Sequence, residues 1–133
     1  MQKDTNKSFN TQMLNLFKKA NIHKDRVAIQ SDENEFTYGY LIERSNAIAS
    51  FLLGDQSDLN EERIGLLVRP DIHYVAALWG IWKSGAIAVP LSLSAKESEL
   101  EHYISDSNIR LIISSDNCEE QKNIPQKNSI DIQ

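Results

Sequence analysis

The chain has 133 residues, 41% hydrophobic and 25% charged, the balance of one soluble globular domain long enough to bury a core. Fourteen Lys and Arg stand against 19 Asp and Glu, for a net charge of −5, and no basic block exceeds Lys18-Lys19 and the pair Lys24 and Arg26. That balance lacks the electrostatic footprint of a nucleic-acid binder.

Taken in order, residues 11–20 place Met13, Leu14, Phe17 and Ala20 on one helical face. Val27 to Ile29 forms a short strand. Residues 31–35 are turn material, and Phe36-Thr37 returns as the second arm of a hairpin. Thr37 can cap a helix over 38–53, whose apolar face carries Leu41, Ile42, Ile48, Ala49, Leu52 and Leu53 and which ends at Gly54. Residues 55–62 read as a polar loop. Ile64 to Val68 is continuously apolar, as in a strand covered on both faces. Arg69-Pro70-Asp71 makes the turn into a helix over 72–84, with Asp71 as its N-cap. That helix is apolar nearly all round, so Val75 and Trp79, with Leu67 and Val89 on the strands, are expected to be buried. Gly85 suits the C′ position because φ > 0 costs it nothing. Ala86 to Val89 is the next strand, and Pro90, lacking an N–H, ends it. Ser94 and Glu97 match a capping box for a helix over 96–107, with Asn108 as a left-handed stop. Residues 109–113 form another strand, 115–128 loop, and Ile130 and Ile132 alternate with polar neighbours like a further strand. From residue 63 the order is β-α-β-α-β with short connections. It predicts an α/β fold: a mainly parallel sheet with helices on both faces, preceded by a helix and a short hairpin.

The single cysteine, Cys118, excludes an internal disulfide and a cysteine-built zinc site. Residues 1–10, expected as a flexible N-terminus, are polar and charged, without the apolar centre of a signal peptide. The longest apolar run, Tyr74 to Trp82, is too short to cross a bilayer. A cytoplasmic protein with neither membrane nor nucleic-acid partner is expected.

Two strings carry more than scaffold. Phe36-Thr37-Tyr38-Gly39-Tyr40-Leu41 resembles the Leu-Thr-Tyr-x-Glu-Leu motif of the adenylate-forming (AMP-binding) superfamily, with Tyr40 where that family has Glu. Lys83-Ser84-Gly85-Ala86-Ile87-Ala88-Val89-Pro90 resembles a second motif of the same superfamily. Between them, Arg63 to Val68, the Arg69-Pro70-Asp71 turn and the apolar helix follow the family's order, as does Tyr103 to Asn108 further on. The resemblance covers residues 11–115, the expected α/β subdomain; 116–133 is expected to be polar loop and a truncated strand. It implies the N-terminal part of an acyl-CoA synthetase-like enzyme. That family uses ATP to convert a carboxylate to an acyl-adenylate, which a thiol such as that of CoA then captures.

The resemblance also implies parts this chain does not carry. The family holds the triphosphate with a Ser/Thr/Gly-rich loop and Lys; the five glycines here, at 39, 54, 65, 80 and 85, stand singly. No catalytic, cofactor-binding or metal residue is therefore assigned. ATP, Mg and CoA are implied only for a full-length parent, whose remainder would be this chain's partner. Lys83 reads as a solvated helix-end lysine before it reads as a phosphate ligand. Arg69, at the carboxyl end of a strand, is better taken as a surface or subdomain-interface residue than as a ligand contact. His73 and His102 have no Cys or His at i+4 to share a metal. Trp79 and Trp82 have core or subdomain-contact spacing. Ser92, Ser94 and Ser98 have no histidine placed to activate them.

Two function classes fit these readings. In the first, the chain is an inert structural fragment of an acid–thiol ligase. It would expose apolar side chains of helix 72–84 (Ile72, Tyr74, Val75, Leu78, Ile81 and Trp82) and an open edge at 129–132, and self-associate through either. In the second, it is a stand-alone flavodoxin-like or response-regulator-like module that binds a ligand or partner. Asp116 follows a strand as a response regulator requires, but residues 30–33 lie in a hairpin instead of supplying an acidic pair at the first strand's end. The first reading is preferred.

Overall fold

A computed structural model describes residues 15–115 and 129–131. Contacts divide the chain into two units, 1–44 and 45–133.

In the first unit, α1 is helical over 15–22. It leads to the antiparallel hairpin of β1 (Val27–Gln30) and β2 (Glu35–Thr37). The hairpin turn is closed by the Ser31 N–H donating to the Asn34 carbonyl at 2.8 Å and the Asn34 N–H donating to Ser31 Oγ at 3.1 Å, the Ser acting as a short local mimic of backbone. Helix α2 (Tyr38–Leu53) starts here and runs into the second unit. Its first-turn amides would be orphans. Three find acceptors: Tyr38 N–H donates to the Arg26 carbonyl, Gly39 N–H to the Lys24 carbonyl, and Tyr40 N–H to Thr37 Oγ1. Thr37 is thus the cap that the sequence predicts.

The second unit is a four-stranded, all-parallel sheet in the order β4-β3-β5-β6, built from β3 (Arg63–Leu67), β4 (Ile87–Pro90), β5 (Leu111–Ser114) and β6 (Ser129–Asp131). Helix α3 (Ile72–Lys83) joins β3 to β4, and α4 (Glu97–Asp106) joins β4 to β5. Alternation along each strand separates two cores. On one face Ile64, Leu66, Val68 and Ile113 pack with Ala77 and Ile81 of α3, with Ile48, Leu52 and Leu53 of α2 against them. On the other, Leu67 and Ile112 pack with Leu100 of α4 and with Ala95 and Ile109. Helices on both faces are what parallel strands with short crossovers require. The strands start and stop within one or two residues of expectation, and the pairing of β3 with β4 is parallel as expected.

The helix ends obey local rules. Asp71 Oδ1 accepts from His73 N–H at 2.8 Å and from Tyr74 N–H at 3.4 Å, so it caps α3. After α3, Gly85 has φ +79°, its N–H donates to the Trp82 carbonyl, and Ala86 N–H donates to the Ile81 carbonyl. That is a Schellman closure. Asn108, φ +54°, closes α4 the same way through Asn108 N–H to the Ser105 carbonyl and Ile109 N–H to the Ile104 carbonyl.

Several expectations are corrected. Helix α4 starts after Lys96, not Ser94: the Glu99 carboxylate accepts from the Lys96 N–H at 3.0 Å, taking the role expected of Glu97. Ser94 bonds Ser92 instead, hydroxyl to hydroxyl at 2.9 Å. Val75 and Val89 are only half-buried, whereas Leu67 and Trp79 are buried as expected. The loop over 55–62 is not merely polar. Leu59 lies in the core, its N–H donates to the Ser84 carbonyl, and Glu61 N–H donates to the Gly85 carbonyl. The expectations for residues 1–14, 116–128 and 132, including the flexible terminus, Asp116 and Cys118, lie outside the described residues. No helix among the described residues is long and apolar enough to cross a membrane.

Candidate functional site at the carboxyl ends of the strands

In an open parallel sheet the crevice for ligands lies beyond the strands' carboxyl ends, where successive connections leave in opposite directions. Here that point falls between β3 and β5: the chain leaves β3 toward β4 over one face and returns to β5 over the other. Val68, Arg69 and Pro70 follow β3, and Ser115 follows β5. The Arg69 N–H donates to Ser115 Oγ at 3.3 Å, and the Ser115 N–H reaches back to the Leu67 carbonyl at 3.4 Å. The two loops are therefore tied together at the switch point. Asp71 N–H donates to the Arg69 carbonyl at 2.8 Å, holding the turn into α3. Arg69, Pro70 and Asp71 are exposed. The place can present a guanidinium and a hydroxyl to something beyond the sheet.

The other singled-out residues fall elsewhere. Lys83 is not a solvated lysine. Its ammonium donates to Ser45 Oγ at 2.8 Å and to Asn46 Oδ1 at 2.7 Å, tying α3 to α2. Ser45 is fully buried. Burial lowers the Lys83 pKa from 10.5 to about 8, because desolvation penalises the cation. The signal in the sequence was Ser45 itself, four residues after Leu41 on an otherwise apolar face. His102 Nε2 lies 3.2 Å from Asp106 Oδ2 one turn on, both exposed. Trp79 is buried and Trp82 exposed. Of the six α3 side chains expected to be uncovered, Ile72 and Ile81 are buried and Tyr74 and Leu78 pack on the core, leaving Val75 half-buried and Trp82 exposed. Among the described residues no group of three or more His, Cys, Asp or Glu could hold a metal ion.

The residues present do not by themselves fit a nucleoside triphosphate. A phosphate cradle needs successive backbone N–H groups around clustered glycines. Here Gly80 and Gly85 serve packing instead: a Cβ on Gly80 would lie 2.6 Å from Ile48 Cγ2, and one on Gly85 would overlap the Asp58 carboxylate.

The fold and the two motifs point to one class, the adenylate-forming enzymes. Residues 16–132 match the family model described as AMP-binding enzyme, and the chain belongs to that family. It is 35% identical over 126 residues to a malonate–CoA ligase of Arabidopsis thaliana, covering 84% of this chain and 21% of that protein. It is 38% identical over 93 residues to a mitochondrial malonate–CoA ligase of Mus musculus, covering 67% and 16%. Among solved structures, an anthranilate CoA ligase in complex with anthranoyl-AMP superimposes with a TM-score of 0.75 at 23% identity, over 90% of this chain and 24% of that one. The N-terminal subdomain of Klebsiella oxytoca NpsA superimposes at 0.72 with 20% identity, over 90% and 30%. These structural likenesses establish the fold. The chain spans about a fifth of the length of the curated relatives it matches.

Proposed function

We propose that this chain is the N-terminal portion of an ATP-dependent acid–thiol ligase, in which a carboxylate becomes an acyl-adenylate and then a thioester. The family match over 16–132 carries the reading; relatives named as malonate–CoA ligases support the thioester product and make malonate the first acid to test. On this reading ATP, Mg²⁺ and CoA belong to the longer polypeptide. The present chain supplies the sheet, the switch-point loops and the α3 motif as scaffold, and is inert alone. Its partner is the rest of that polypeptide. The isolated chain self-associates through the exposed end of α3 near Trp82 or by strand pairing beyond β6.

The coding sequence downstream of Gln133 tests this first: it should continue in frame into a Ser/Thr/Gly-rich loop followed by Lys. The full-length product should then show carboxylate-dependent ATP–pyrophosphate exchange, with malonate tried before other acids. A continuing frame without that loop, or a full-length protein with no exchange for any acid, overturns the proposal.

A further inference from the structure

Apart from the switch point, the first unit contains a cleft of about 340 Å³ between the end of α1 and the start of the hairpin. That volume is at the small end of the range for small-molecule sites. Its lining is of two kinds: Leu16, Ala20, Val27 and Tyr38 are largely apolar, Leu16 and Val27 being partly open to solvent, and Lys19, His23 and Arg26 are basic; among the described residues no lining residue is acidic. The basic lining belongs to the most basic stretch of an acidic chain: Lys18, Lys19, Lys24 and Arg26 against Asp25 alone within 18–26.

The basic lining is held by backbone. His23 N–H donates to the Lys19 carbonyl and Arg26 N–H to the His23 carbonyl, so the three basic residues follow one another around the end of α1. Tyr38 N–H donates to the Arg26 carbonyl at 3.0 Å, tying two of the lining residues together. A guanidinium and an ammonium lining one cleft can each hold an oxyanion by charge-assisted hydrogen bonds, and the apolar lining takes up a hydrocarbon body. We propose that this cleft binds a small amphiphilic anion, its oxyanion head on Arg26 and Lys19 and its apolar body over Leu16, Ala20 and Val27. Cations near a helix C-terminus also offset the helix dipole, and that alternative needs no ligand. The proposal goes beyond the ligase reading and stands or falls separately from it.

Octanoate, acetate and octanol, titrated into the ¹⁵N-labelled chain, test it. Octanoate should shift amides within 16–38 and saturate. Acetate, which loses the burial of the hydrocarbon body, and octanol, which loses the charge-assisted hydrogen bonds of the head, should each bind about tenfold more weakly or worse. Arg26→Gln and Lys19→Gln should each weaken octanoate several-fold while leaving the melting temperature unchanged. Octyl phosphate binding in octanoate's place would fix the head as phosphate and uphold the site. Equal binding of acetate and octanoate, equal binding of octanol, shifts confined to residues outside 16–38, or no shift at all overturns the proposal.

Discussion

Gly85 meets two demands at once. Its φ of +79° closes the α3 Schellman turn, and the Asp58 carboxylate occupies the space a Cβ would need. Gly85→Ala should therefore destabilise the chain by about 1–3 kcal/mol, read by urea unfolding. Part of that comes from contact with Asp58, so the same substitution in an Asp58→Ala background should cost less, by about 0.5 kcal/mol or more. Full additivity would assign the whole effect to backbone conformation. Lys83 makes a pH-dependent contribution. Its pKa is about 8 in the folded chain and 10.5 ordinarily, so between those values the unfolded chain binds more protons than the folded one. Stability contributed by this group then rises with pH: the desolvation penalty is fully present below pH 8 and is relieved as pH climbs toward 10.5. Other lysines and tyrosines titrate in the same range, so the measurement is a difference. Unfolding free energies of wild type and Lys83→Met, followed from pH 7 to pH 10, should diverge in favour of wild type as pH rises. Parallel curves would show that the Ser45 and Asn46 contacts fully offset desolvation.

At the scale of elements, what was legible in the sequence is what closes within a dozen residues. Asp71, Gly85 and Asn108 each act on atoms two to five positions away, so caps and stops announced themselves. So did α2, whose apolar face repeats at helical spacing from Leu41 to Leu53. Leu59 was not legible: one apolar residue in a polar stretch has no period, and its burial depends on the end of α3 twenty-five residues later. The Lys83 contacts with α2 are equally non-local, spanning 38 and 37 residues. Nor could pattern choose between Ser94 and Lys96 as the start of α4, because Glu97 and Glu99 each offer a carboxylate three residues on. The family-type Glu would let Thr37 form a full capping box; Tyr40 keeps only the half made by its own N–H and sets its ring 5.2 Å from that of Phe36. The switch-point loops were legible as a turn around Arg69, but the bond to Ser115 joins two strand ends 46 residues apart. The loop holding Leu59 also carries local strain. Asn60 and Glu61 both have positive φ, 51° and 63°, and Glu62 N–H donates to the Leu59 carbonyl across them. This is a type I′ arrangement, usually occupied by Asn-Gly. Glu61→Gly keeps the turn and removes left-handed strain of about 1–2 kcal/mol against an unfolded-state entropy cost of about 0.4–1 kcal/mol, so it should raise stability by roughly 0.5–1 kcal/mol in urea unfolding. A loss of stability would mean that the Glu61 side chain contributes more than its backbone costs.

For the whole molecule, the ligase reading demands that this scaffold be inert without the rest of its polypeptide. Calorimetric titration of the isolated chain with MgATP should give no saturable heat, since its five glycines stand singly, at helix ends, in a helix contact or, for Gly65, within β3, and form no phosphate cradle. Saturable micromolar binding would refute that. The second demand concerns exposed surface. Trp82 is 36% exposed, Ile87 on the outermost strand β4 is 42% exposed, and Phe51 is 69% exposed. Singly such residues are ordinary. Among the described residues, both outer strands, β4 and β6, additionally offer backbone groups to another chain. Two routes to association follow, and they can be separated. If side-chain burial drives it, Trp82→Lys should shift sedimentation toward monomer. If strand pairing drives it, Trp82→Lys should leave the distribution unchanged, whereas a proline in β6, or in β4 if that edge pairs, should disperse it. Most of α3 is already covered by its own chain, which favours pairing at an outer strand over helix burial. Sedimentation of wild type as a strict monomer at high concentration would refute both routes and show that the described surfaces are stable in water alone.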